Sequence, residues 1–191
     1  MDMQLYIDAF LKPAETFAAQ KANADLGKGI LNFALGGLIY GILLFIITAI
    51  LSAATGNLAG IVVGAVYIVA APIVVVIAEL IGLLVPFVLS KFAGGTGSYS
   101  SLFYLTSLYE VPVLALQAIP VVGWLVSFYS IYLFYHALKE SQGLSSGRAR
   151  AVVLIPLALV VIAAVLLMVL GLFALGGFMS SSAAVPKVYP Y

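Results

Sequence analysis

The sequence contains no cysteine, which excludes disulfides, thiolate metal sites, palmitoylation and a c-type haem attachment together. Charge is nearly as scarce: 8 Lys+Arg and 7 Asp+Glu make up 8% of 191 residues, where a soluble globular chain carries about a quarter. A net charge of +1 leaves no basic surface for a phosphate backbone, so nucleic-acid binding is not expected. Histidine and tryptophan occur once each, as His136 and Trp124. No Ser/His/Asp arrangement, HExxH or Walker sequence can be written, so an enzyme is not expected and no cofactor or resident metal is implied. The first 28 residues carry Asp2, Asp8, Lys12, Glu15, Lys21, Asp25 and Lys28. That pattern does not fit a cleaved signal peptide, and the first apolar run should act as an uncleaved anchor.

What is abundant is apolar: 64% hydrophobic residues and a mean hydropathy of +1.23 describe an integral membrane protein. Ahead of the membrane, Met3, Tyr6, Ile7, Phe10, Leu11, Phe17 and Ala18 fall near helical spacing, with Gln4, Asp8, Lys12 and Glu15 mostly opposite. Residues 1–28 therefore read as a cytoplasmic amphipathic segment, broken at Pro13. It could lie on the membrane surface or pack on its own protein. Residues 29–178 then divide into five apolar runs at about 30–53, 61–92, 99–118, 121–138 and 151–173, and 179–191 read as a flexible tail. The expected fold is all-α, a five-transmembrane-helix bundle with a short N-terminal amphipathic helix. As one helix the second run would be about 48 Å long, more than a ~30 Å hydrocarbon core, so tilt, an interfacial extension or kinks at Pro72 and Pro86 are expected. Five crossings put Lys12, Lys21, Lys28, Lys91, Lys139, Arg148 and Arg150 on one side and Lys187 alone on the other. The positive-inside rule then makes the N-terminus cytoplasmic and the C-terminus extracytoplasmic.

Two carboxylates interrupt the apolar runs. Glu79 lies twelve residues before Lys91 and Glu110 twelve after Ser98, which places both about 18 Å from the connecting loop and near the midplane. Thr106, Glu110 and Gln117 share a helical stripe with Ser107 beside it. These five residues form the candidate intramembrane polar site. They could bind a proton or a cation, or they could hydrogen-bond helices together. His136 lies three residues before Lys139, too shallow to join the glutamates. With Tyr129, Tyr132 and Tyr135 it reads as an interfacial aromatic face, with Trp124 in the belt on the opposite side. Gly36, Gly37 and Gly41, and Gly56, Gly60 and Gly64, allow close helix approach, within the chain or between copies.

Four stretches carry a resemblance. Pro13-Ala14-Glu15-Thr16-Phe17 precedes the first run and Gly94-Gly95-Thr96-Gly97-Ser98-Tyr99 enters the third. Ile119-Pro120-Val121-Val122-Gly123 forms a tight turn, and Gly143-Leu144-Ser145-Ser146-Gly147-Arg148-Ala149 precedes the last run. In this order the chain resembles a small prokaryotic-type member of the Yip domain family, the Ypt/Rab-interacting membrane proteins, over roughly 10–175. The resemblance implies a five-span helical domain with a cytoplasmic N-terminus. Eukaryotic relatives act in vesicle trafficking at endoplasmic reticulum and Golgi membranes and contact small GTPases. Here the segment before the first run ends at Lys28, so a plasma-membrane protein without a GTPase partner is expected. Its partners would be the bilayer, other membrane proteins or copies of itself. The expected role is non-enzymatic, in membrane organisation or scaffolding. The competing expectation is a small proton or cation channel or carrier built on Glu79 and Glu110.

Overall fold

The computed structural model describes residues 2–57 and 59–182, with side chains described as far as Phe173. Eight α-helices follow one another: α1 (Met3–Leu11), α2 (Pro13–Gln20), α3 (Leu26–Thr55), α4 (Ala59–Gly82), α5 (Leu84–Phe92), α6 (Tyr99–Gln117), α7 (Pro120–Gln142) and α8 (Ser146–Ser182). No strand occurs among the described residues. The chain forms two units, Met1–Val153 and Leu154–Tyr191. In the second unit, α8 carries outward-facing apolar side chains along its described length. The helix continues to Ser182, past the expected start of the tail at Met179; residues 183–191 lie outside the described residues.

Local chemistry sets the helix ends. Asp2, Asp25 and Ser98 each accept a hydrogen bond from a first-turn amide, at Gln4, Lys28 and Ser101, offsetting donors with no intrahelical partner. Pro13 and Pro120 open α2 and α7, where a missing N–H costs nothing. Gly56 and Gly143 end α3 and α7 with φ of +68° and +65°, the left-handed geometry that favours glycine.

In the first unit α6 is central. Every residue from Ser101 to Tyr109 is buried, packed against α3, α7 and the two N-terminal helices. The amphipathic start therefore docks on its own protein through Tyr6, Ala9 and Phe17. Among the described residues four helical stretches are long and apolar enough to cross a membrane: Leu26–Thr55, Ala59–Phe92, Pro120–Gln142 and Ser146–Phe173. α6 is not among them, so the expected five-span bundle is met only in part. Its Ser100, Ser101, Thr106, Ser107, Glu110 and Gln117 make it more polar than its neighbours. The second apolar run is interrupted within a turn of Pro86, as expected, and not at Pro72. Pro72 lies inside α4 without ending it, and the break falls at Leu83, which leaves Pro86 in the first turn of α5.

Candidate functional site

The polar residues of the first unit gather in three places. The first joins α1, α3 and α6. Tyr6 donates its hydroxyl to Asn32 Oδ1 at 2.9 Å, Asn32 Nδ2 donates to Ser107 Oγ at 3.0 Å, and Ser107 donates to the Tyr104 carbonyl at 2.7 Å. All four side chains are buried. Around this relay Tyr104 donates to Gln20 Oε1 at 3.2 Å and Tyr129 to the Phe10 carbonyl at 2.8 Å. Phe17 packs on Tyr109 with ring centroids 6.0 Å apart. The hydroxyls of Tyr6, Tyr104 and Tyr129 each reach another helix, so together they fix the N-terminal pair on the bundle at one level.

The second place is where the 90–98 and 141–148 segments meet. Thr96 donates its amide to the Gln142 carbonyl at 2.9 Å, and Gln142 returns Nε2 to the Ser98 carbonyl at 3.0 Å. Gly95 donates to the Ser90 carbonyl at 2.8 Å, and the Lys91 ammonium caps the Gly95 and Gly97 carbonyls. Gly97 lies so close to the Ser141 carbonyl that a Cβ there would overlap it. Two of the four stretches that carried the resemblance, 94–99 and 143–149, thus flank one lock, with Arg148 against Gly94. The glycine run is a packed joint and not a phosphate-binding loop.

The third place is the pair of glutamates. Glu110 is level with α3 residue Gly36, whose Cβ would stand 3.6 Å from its carbonyl oxygen. Glu79 is shallower. Its neighbour Leu80 accepts the Tyr99 hydroxyl at 2.7 Å and packs in the cluster of Leu26 and Ile30, so Glu79 lies level with the first turns of α3 and α6. Along α3, Glu110 is thus level with Gly36 and Glu79 with the Leu26–Ile30 end, so the two lie at different levels of the bundle. Both side chains lean toward their own helix N-termini and hence toward each other. The ion pair found among the described residues, Lys139 to Glu140 at 3.4 Å, involves neither.

The remaining residues of the expected polar stripe separate. Ser107 belongs to the relay, Thr106 is buried beside it, and Gln117 donates to Ser127 Oγ at 3.4 Å across the α6–α7 turn. His136 sits edge-on between Tyr132 and Tyr135, with centroid distances of 4.6 and 4.9 Å. Trp124 is exposed beside Phe128 at the turn. Among the described residues no three His, Asp or Glu side chains gather as a metal ion would require. Sequence reasoning missed the relay because Tyr6 counts as apolar in a periodicity and Asn32 has no visible partner 75 positions away. A lone amide inside an uncharged run was the available signal.

The Yip1 domain family model matches residues 7–169. No curated protein matches the chain, and no solved structure does.

Proposed function

Because the chain belongs to the Yip1 domain family, we propose that it is a non-enzymatic organising protein of the membrane, a scaffold with a trafficking-like role exerted through helix–helix and protein–protein contacts. One observation carries this reading. Buried polar side chains of α1, α3, α6 and α7 tie parts of the same chain together, as in the relay Tyr6–Asn32–Ser107 and the lock at Thr96 and Gln142, while Ser101 Oγ and Thr106 Oγ1 are buried without a partner among the described residues. What is left facing outward on α3, α4 and α7 is almost entirely apolar. Such a surface recognises acyl chains and other helices. Its partners in this reading are the bilayer, other membrane proteins and copies of itself, with the N-terminus cytoplasmic, the C-terminus extracytoplasmic and the aromatic set of Tyr132, Tyr135 and His136 at the cytoplasmic interface.

Flux through liposomes tests the choice. Proton and cation fluxes are compared for the intact chain and for Glu79→Gln with Glu110→Gln, at equal incorporation. The scaffold reading expects no flux above empty vesicles from either protein, with both folded. Flux that the double variant abolishes would replace it with the carrier.

A further inference from the structure

The two central hairpins differ in reach. Gly36 of α3 packs on the backbone of Val111 in α6, and Asn32 is tied to Ser107, so the two helices run parallel with these residues level. Beyond Gly36, α3 continues to Thr55 for about 28 Å, whereas beyond Val111, α6 continues to Gln117 for about 9 Å. The α3–α4 turn therefore stands about 20 Å beyond the α6–α7 turn.

The cytoplasmic boundary is marked by α1, which has three faces. Tyr6 and Ala9 dock on the bundle; Met3, Ile7 and Leu11 form an exposed apolar stripe; Gln4, Asp8 and Lys12 form a polar edge, with Gln4 bonded to Asp8 at 2.9 Å. A helix with protein, apolar and charged sides is satisfied only where lipid meets water. Tyr6 pins it level with Asn32 and so with Ser107. The outward apolar side chains of α7 agree, running from Val121 to Tyr132. From Asn32 a ~30 Å core ends about twenty residues on, near Ser52, where the polar α3–α4 turn begins. From Ser107 to Gln117 is only about 15 Å.

We propose that the α6–α7 hairpin enters from the cytoplasmic side and turns back inside the hydrocarbon, and that lipid acyl chains fill the recess beneath its turn. This replaces the expected five crossings with three, and leaves the charge asymmetry unchanged because both ends of the hairpin stay on one side. The turn suits that depth: 118–124 contains no charged residue, and Val121, Trp124 and Leu125 point outward. The recess is open, about 1050 Å³, and is lined by Tyr40, Gln117, Trp124, Leu125, Ser127 and Phe128. Its lining is mostly apolar and carries no charge, with Gln117 and Ser127 bonded to each other, so it takes a hydrocarbon tail and offers a headgroup phosphate no cation.

Trp124 is the only tryptophan and reports its own depth. The full chain is reconstituted in phosphatidylcholine vesicles carrying bromine either near the ester or near the chain end. The proposal expects stronger fluorescence quenching by the deep bromine. Stronger quenching by the shallow bromine would restore a full crossing with Trp124 at the far interface, and no quenching by either would mean that protein, either α8 or a second copy, fills the recess. The absence of cysteine allows a second reading with single Asn57→Cys and Val121→Cys chains and an impermeant maleimide outside. Labelling of Asn57→Cys with loss of labelling at Val121→Cys is expected, and equal labelling overturns the proposal.

Discussion

The α3–α4 hairpin and helix α6 hold their neighbours by different means. In α3–α4 the backbones touch: a Cβ at Gly37 would stand 2.7 Å from Pro72 Cα, and Gly41 meets the Tyr67 carbonyl directly. Thr48 turns its hydroxyl back onto its own helix, to the Leu44 and Phe45 carbonyls. In α6 the side chains are large and polar groups cross between helices, as Asn32–Ser107 and Tyr104–Gln20 show. Both solutions answer one constraint. Lipid tails are as apolar as leucine, so burying leucine gains little there, and association must come from close packing or interhelical hydrogen bonds. In this chain polarity inside the membrane domain therefore marks the face that meets protein.

The largest test of that contrast is Gly41→Leu. No rotamer avoids the Tyr67 backbone, so the helices must separate, with an expected loss of about 3 kcal/mol or more. It should show as loss of the cooperative thermal transition in detergent. Gly82→Ala is the matching control, since nothing lies within 4 Å of the added Cβ, and its transition should be unchanged. If Gly41→Leu unfolds like the control, contact between backbones is not what joins α3 to α4.

Next in size is the relay. Asn32→Leu leaves the Tyr6 hydroxyl without an acceptor and Ser107 without a donor, both buried. The expected cost is about 2–3 kcal/mol. Tyr6→Phe removes one partner of one bond and should cost about 1 kcal/mol. Hydrogen exchange separates this from general destabilisation. Protection should fall across 3–20 in Asn32→Leu while α3–α4 amides keep theirs. Uniform loss would mean that the N-terminal pair and the bundle unfold as one unit.

Most of the helix pattern could be read in advance because it follows from local rules. The break at Pro13, the turn at Ile119-Pro120 and the apolar runs around α3, α7 and α8 depend on neighbours within a turn or two. The interruption at Leu83 was legible in the same way, since it follows Gly82 and Pro86 has no N–H to offer the Gly82 carbonyl. The site was less legible. Ser107 stands out in the sequence for its place beside Glu110, yet its partner is Asn32. Gln142 lies in a polar stretch and is wholly buried, because the fold brings 96–98 against it. Periodicity carries no information on which distant residue a buried amide will meet.

The smallest expected effect concerns the outward face of α3. Ile50 is 64% exposed and lies near the end of the hairpin that reaches furthest. In a bilayer its neighbours are acyl chains that close over a truncated side chain, so no cavity remains to carry the usual cost of a large-to-small change. Ile50→Ala should therefore stay within about 0.5 kcal/mol of the parent chain, read as the unfolding midpoint in mixed micelles. The outcome is informative in the other direction as well. A loss of the size seen for buried isoleucine, about 2 kcal/mol or more, would mean that protein covers this face. If the loss also depended on protein concentration, the cover would be a second copy of the chain, and the apolar exterior of α3–α4 would be an interface of the scaffold.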